Sequence, residues 1–116
     1  MLGCDIIEID RIKDSIERFG KKFINRILTE REIEIYERRN YNPSFAAGRF
    51  AAKESISKTM KSGIGSLSFK DIEIVNDDKG APLVFIKGEK RPDVEVSISH
   101  SRDYAVAVSI LVREVL

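Results

Sequence analysis

The apolar positions of this chain change period partway along it, dividing it into a helical half and a stranded half. Leu2-Gly3-Cys4-Asp5-Ile6-Ile7 opens as a short strand, with β-branched residues after a glycine. Ile9, Ile12, Ile16 and Phe19 then recur at helical spacing; Gly20 interrupts, and Phe23, Ile24, Ile27 and Leu28 resume the pattern. Thr29-Glu30-Arg31-Glu32 places a hydroxyl three residues before a carboxylate, a capping box that predicts a helix to about Arg39. Asn40-Tyr41-Asn42-Pro43 reads as a loop, because the residue before proline avoids the helical region. A long alanine-rich helix follows over Phe45–Met60, with Ser44 as the expected N-cap and Ser62-Gly63-Ile64-Gly65 as its stop. From Leu67 the period is two. Strands are expected around Ile72 and Ile74, at Leu83–Ile86, at Val94–Ser99 and at Tyr104–Val112. Turn-rich Asn76–Pro82, polar Gly88–Pro92 and the short loop His100–Asp103 separate them. The predicted class is α+β: an N-terminal strand, helices, then antiparallel strands.

The long helix does not follow the usual rule of one apolar stripe. Phe45, Ala52, Ile56 and Met60 share one face, while Ala47, Phe50 and Ala51 lie on the other, around Glu54 and Lys58, with the Ser57 hydroxyl at its edge. A helix apolar on both sides is packed on both sides. Charge enclosed there needs partners, although Glu54 and Lys58 at i,i+4 also form an ordinary surface pair worth a few tenths of a kcal/mol. Arg49 projects with the core-side residues, away from Glu54.

Composition narrows the classes. At 116 residues the expectation is one domain over 1–116. Twenty basic against nineteen acidic residues give +1, which argues against a nucleic-acid binder. No apolar run reaches the length of a membrane span, and the lone Cys4 fits a reducing compartment, so cytoplasm is expected. The charge is unevenly placed. Between Arg11 and Arg26, six basic residues stand against two acidic ones, a local +4. Such an excess is either a solvated face or a docking site for an acidic partner.

Few familiar motifs survive inspection. His100, the only histidine, adjoins Ser97, Ser99 and Ser101, but no Gly-x-Ser-x-Gly elbow accompanies it. One histidine and one cysteine cannot furnish a normal zinc shell, and no P-loop follows Gly63-Ile64-Gly65. What remains is a carboxylate in an apolar strand (Asp5), another on the two-sided helix (Glu54), Lys58, Arg49, and a histidine beside hydroxyls. Two carboxylates without nitrogen or sulfur partners suit a hard ion such as Mg²⁺, which completes its shell with water and phosphate oxygens. The cations would balance phosphate charge, so metal-assisted phosphoryl or phosphodiester chemistry is the class these residues suggest. A pyrophosphatase and a non-catalytic module holding an acidic partner are the alternatives.

Three segments also resemble a known family: Gly3-Cys4-Asp5-Ile6 with Arg11-Ile12, the run Ala47-Gly48-Arg49-Phe50-Ala51-Ala52-Lys53-Glu54 through Gly65, and Ser97-Ile98-Ser99-His100. In order and spacing they resemble the small bacterial 4′-phosphopantetheinyl transferases, the holo-(acyl-carrier-protein) synthases. Cys4 departs from the usual aliphatic, and Ala81 interrupts the usual Gly-Lys-Pro. The resemblance implies the fold of that family and transfer of 4′-phosphopantetheine from coenzyme A to a serine of apo acyl carrier protein. Adenosine 3′,5′-bisphosphate is released, in support of fatty acid biosynthesis. It further implies Asp5 and Glu54 as Mg²⁺ ligands and, with Lys58, as the catalytic set. Ser57 and Lys58 would lie beside the coenzyme, and Arg49, His100 and Ser101 would hold its nucleotide and phosphates. The Gly80–Pro82 turn would sit near the adenine. Glu54, acting through a water, is the preferred base. Arg11, Arg18, Lys21 and Lys22 become the expected contacts for the acidic carrier. A homotrimer with sites between subunits is implied as well, offering one reason for a two-sided helix and for an Arg49 that serves a neighbour.

Overall fold

The computed structural model describes residues 1–60 and 67–112. Strand β1 (Leu2–Glu8) leads into helices α1 (Ile9–Phe19), α2 (Lys21–Ile27), α3 (Glu30–Arg38) and α4 (Pro43–Thr59). A 3₁₀ turn at Phe69–Asp71 precedes β2 (Ile72–Asn76), β3 (Pro82–Ile86), β4 (Glu89–Lys90), β5 (Val94–His100) and β6 (Tyr104–Leu111). The class is α+β, as the periodicity predicts. Instead of one antiparallel run there are two three-stranded sheets, ordered β1-β6-β5 and β2-β3-β4, with every pairing antiparallel. Alternation reveals a strand's faces but not its partner, so the split could not be read from the pattern. The polar connection after β3 likewise contains the short β4, and His100 ends β5 instead of starting a loop.

The capping box at Thr29 forms as expected: its hydroxyl accepts from the Glu32 amide, and the Glu32 carboxylate accepts from the Thr29 amide. Ser44 is not the N-cap of α4. Asn42 is, its Oδ1 accepting from the Ser44 amide at 2.9 Å. Pro43 supplies the first helical residue, where its fixed φ helps and its missing N–H costs nothing. The expected stop at Ser62–Gly65 lies outside the described residues.

Helix α4 is buried nearly all round, and the chain itself supplies both walls. On one side lies the sheet β1-β6-β5. Gly48 meets Ile98 of β5, where an added Cβ would come to 3.0 Å, and Gly3 of β1 approaches the Ser55 carbonyl so closely that a Cβ would sit 2.2 Å from it. Ser109 of β6 joins this seam through hydroxyl bonds of 2.7 Å to both Ser55 and Thr59. On the other side Phe50 stacks on Phe69 at 4.9 Å, and Lys53 is wholly enclosed. The two-sided character of the helix therefore needs no neighbouring subunit, contrary to one reason offered for a trimer.

Lys53 was indistinguishable in sequence from its solvated neighbours. Its ammonium donates to the Ile27 carbonyl at 2.7 Å, the Phe69 carbonyl at 3.0 Å and the Glu32 carboxylate at 2.5 Å. Burial lowers the Lys53 pKa, while the Glu32 charge and hydrogen bond oppose that shift. The other Glu32 oxygen accepts from the Ile74 amide at 2.9 Å, and the Ile74 carbonyl accepts from Arg49 Nε at 3.1 Å. Side chains thus occupy the open edge of β2, which has no strand beside it among the described residues.

Lys53→Met should leave the Glu32 carboxylate buried without its counterion. A loss of about 3–5 kcal/mol is expected in urea unfolding. Replacing the neighbouring, partly exposed Glu54 by Gln should change stability by less than about 0.5 kcal/mol in the same measurement.

Candidate functional site

The predicted site residues divide between the two edges of the sheet β1-β6-β5. Alternation along β1 turns Gly3, Asp5 and Ile7 toward α4 and Leu2, Cys4 and Ile6 away from it. Asp5 is only partly buried, and Lys58 from the last turn of α4 reaches across to it. The Lys58 ammonium donates to Asp5 Oδ1 and to the Cys4 carbonyl, each at 3.1 Å. Glu54 lies one helical turn before Lys58 and is half-buried. No Glu54–Lys58 ion pair forms among the described residues: the lysine spans two elements instead of one turn. Because the Lys58 side chain is half exposed, this bridge contributes about 1 kcal/mol or less.

Asp5 and Glu54 pass a simple test as ligands for a divalent ion. Both are partly exposed carboxylates, Asp5 bonded to Lys58 and Glu54 one turn before it on α4, and no cluster of three or more carboxylates, histidines or cysteines exists among the described residues. A hard cation that keeps several waters and takes phosphate oxygens fits such a donor set; a zinc-type shell does not. Ser57 is half-buried on the same helix, between these two residues and Lys58 in sequence.

At the opposite edge, beside β5, a cavity of about 420 Å³ opens between the start of α4 and the β2–β3 turn. Arg49, Gly80, Pro82 and His100, all expected to hold the coenzyme, line it together. Asp5, Glu54, Ser57, Lys58 and Ser101 do not. Ser101 lies just past β5, where its hydroxyl accepts from the Tyr104 amide at 3.3 Å and closes the β5–β6 turn. The register explains the separation: Asp5 and Ile98 both face Ala107 across β6, two strand spacings or about 10 Å apart. Arg49 precedes Glu54 by five positions, some 140° around the helix at about 100° per residue.

The cavity gathers positive charge, and one of its arginines was not singled out by the sequence. Arg39, the C-cap of α3, lines it beside Arg49, and both guanidinium groups lie over the Phe45 ring, at 5.2 and 4.5 Å. Two residues with positive φ, Asn40 and Tyr41, turn the chain sharply after Arg39, and the Tyr41 amide is tied to the Tyr36 carbonyl at 3.0 Å. Burial pushes Arg49 down to about 10, with Glu32 opposing and the Arg39 charge adding to the shift; the group remains a cation at neutral pH. Asn76 also lines the cavity and accepts from Arg49 Nη2 at 2.9 Å. An arginine ending one helix and an asparagine ending one strand carry no signal of a shared pocket until both are folded.

Two other surfaces complete the inventory. On α1 and α2, Arg11, Arg18, Lys21 and Lys22 are all exposed, and a groove formed by Ser15, Phe19, Lys22, Phe23 and Arg26 runs between the helices. Phe19 is 57% exposed there, so the basic face also has an apolar contact. The outer face of β1 and β6 presents Leu2, Ile6, Val108 and Ile110 to solvent. No described helix is long and apolar enough to cross a membrane.

Residues 1–109 match the family model of the 4′-phosphopantetheinyl transferase superfamily. A holo-(acyl-carrier-protein) synthase of Oceanobacillus iheyensis is 49% identical over 112 residues, covering 95% of this chain and 93% of its own. Among solved structures, the Helicobacter pylori holo-(acyl-carrier-protein) synthase in complex with coenzyme A superposes with a TM-score of 0.82 at 37% identity, covering 96% of this chain and 99% of its own. The Bacillus anthracis enzyme, in complex with CoA (3′,5′-ADP), gives 0.80 at 43% identity, covering 95% and 93%.

Proposed function

The chain belongs to the 4′-phosphopantetheinyl transferase superfamily, and on that premise we propose that it transfers 4′-phosphopantetheine from coenzyme A to a serine of apo acyl carrier protein. Holo carrier protein for fatty acid biosynthesis and adenosine 3′,5′-bisphosphate are the products. The observation that carries this reading is Lys58 bridging to Asp5 one turn after Glu54, at an accessible edge, in a chain whose relatives are named for this reaction. Residues 1–116 act as one domain, since both sheets share the core around α4. The unpaired, exposed Cys4 fits work in the cytoplasm.

Asp5 and Glu54 would hold the Mg²⁺ ion. When bound there, the ion supplies charge neutralisation at the pyrophosphate and lowers the cost of a neighbouring alkoxide. Lys58 leaves Asp5 for the pyrophosphate and stabilises charge on the departing bisphosphate. The carrier serine oxygen bonds to the phosphorus nearest the pantetheine arm as the bond from that phosphorus to the bridging oxygen breaks. Glu54 receives the serine proton through a water, the role a carboxylate at this edge can fill. Ser57 lies beside the arm, and Ser101 at the start of the β5–β6 turn touches the nucleotide's phosphates. Arg49, His100 and the Gly80–Pro82 turn, joined by Arg39, hold the nucleotide end.

Carboxylates at the β1 edge and a cationic cavity at the β5 edge favour centres that draw each half from a different copy, so that Arg49 serves a neighbour. The solvent-facing apolar row of β1 and β6 supports the same reading, for a homotrimer would cover it. The +4 face of α1 and α2 suits an acidic carrier, with Arg11, Arg18, Lys21 and Lys22 steering approach and Phe19 in the contact.

Incubation with coenzyme A, Mg²⁺ and apo carrier should raise the carrier's mass by one phosphopantetheine, read by mass spectrometry. Coenzyme cleavage without carrier would favour a pyrophosphatase instead, and binding without chemistry a holding module. Glu54→Gln should lower turnover by about 10²-fold or more while the unfolding curve stays in place. Reversing charge at Arg18 and Lys21 should raise KM for the carrier about tenfold and flatten its salt dependence, leaving coenzyme affinity unchanged. Ile6→Glu on the outer sheet face should yield monomers in analytical ultracentrifugation, with activity lost in parallel; a variant that stays trimeric would place the interface elsewhere.

A further inference from the structure

The β2–β3 turn that walls the cationic cavity is stiff within itself. Asp77 Oδ1 accepts from the amides of Lys79 and Ala81, each at 2.9 Å. The Asp77 amide donates to the Ala81 carbonyl at 2.9 Å, and the Gly80 amide to the Asp77 carbonyl at 3.0 Å. Gly80 takes a φ of +86°, which a residue with a side chain adopts only under strain. A stiff turn on a two-stranded stem can still swing as a unit, so something must fix its angle to the cavity.

One side chain joins the turn to the rest of the molecule. Asn76, the last residue of β2, accepts from Arg49 Nη2 at 2.9 Å and donates from Nδ2 to the Gly80 carbonyl at 3.0 Å. The amide can be oriented only one way, because a guanidinium only donates and a carbonyl only accepts. Arg49 is itself immobile, enclosed at 5% exposure, bonded through Nε to the Ile74 carbonyl and stacked on Phe45. The chain of contacts therefore runs from the rigid helix α4 through Arg49 and Asn76 to the backbone of Gly80. Each link is a hydrogen bond of ordinary length.

We infer that Asn76 is a positioning residue for the coenzyme: its amide bridge sets the angle of the Gly80–Pro82 turn over the cavity and so tunes recognition of the nucleotide. The inference rests on the reading that this cavity receives the nucleotide end of coenzyme A. It also gives Arg49 a second task. Two of its five N–H donors hold protein and not phosphate, so its loss would disturb the cavity wall as well as its charge.

Asn76→Ala and Asn76→Asp discriminate as a pair, because the alanine removes the bridge without adding charge to the cavity. A carboxylate would still accept from Arg49, so the fold and the buried cation keep their partner. It has no N–H for Gly80, however, and its lone pairs face the Gly80 carbonyl and push the turn away. Both Asn76→Asp and Asn76→Ala should raise KM for coenzyme A about tenfold, with kcat falling less than threefold and KM for the carrier unchanged. Direct titration with coenzyme A in the absence of carrier should show the same tenfold weakening. Wild-type coenzyme affinity in Asn76→Asp would overturn the inference, as would a kcat loss equal to the rise in KM. Arg39→Glu, tested alongside, separates the two ideas, because it reverses charge at the cavity without touching the bridge. Weakened coenzyme binding in Arg39→Glu with normal binding in Asn76→Asp defeats the bridge alone; normal binding in both defeats the assignment of the cavity.

Discussion

The enclosed ion pair between Glu32 and Lys53 is the constraint on which the rest of this structure depends. An ammonium stripped of water must be surrounded by acceptors, and here they come from the end of α2, the first turn of α3 and the 3₁₀ turn before β2. Satisfying that one cation fixes three elements against α4. The same carboxylate caps α3 and takes the Ile74 amide, so it also sets the height of the second sheet. The Ile74 carbonyl then goes to Arg49. A buried pair gains little net stability over an apolar substitute, but it tolerates almost no displacement. What it contributes is geometry: both the Arg49 cavity and the Glu54–Lys58 face lie on the helix that it anchors.

From that helix the two halves of the site diverge. Small residues let α4 lie close on the sheet, with Gly3 and Gly48 at the two contact points. Its beginning rests on β5 and its end on β1. A cationic recess forms at one edge, and carboxylates with a half-exposed lysine at the other. The strand order, with β6 in the middle, keeps them about 10 Å apart. The charges sort accordingly, two arginines and a histidine on one side, Asp5, Glu54 and Lys58 on the other.

Much of this was legible in the residues because it is local. Thr29 and Glu32 announce a capping box three residues apart, and the alternation in Val94–Ser99 shows which side of a strand is buried. The chemistry of Asp5 stood out because a carboxylate amid isoleucines needs a reason. Other features are products of distance in sequence. Lys53 and Lys58 are both lysines on one helix, and only the folded chain shows that one is sealed and the other half exposed. Arg39 and Asn76 enter the cavity through tertiary placement, with no periodic signal to mark them. Ser44 lost the N-cap to Asn42 because the proline between them starts the helix itself. The two sheets escaped notice for the same reason as the cavity: partner choice among strands is a non-local decision.

The pairing of β1 with β6 joins the first strand of the chain to the last, in register from Leu2–Ile110 to Glu8–Tyr104. A loop of this span is entropically costly to close, and its contacts form late in folding. During synthesis, α4 and the second sheet can assemble before β6 has left the ribosome. Asp5 cannot reach its place beside Lys58 until β6 arrives to carry β1. Asp5 is thus withheld from every chain that still lacks β6. Because β5 also pairs only with β6 among the described residues, the His100 wall of the cationic recess and the Asp5 edge are completed by the same strand, and the two halves of the site arrive together.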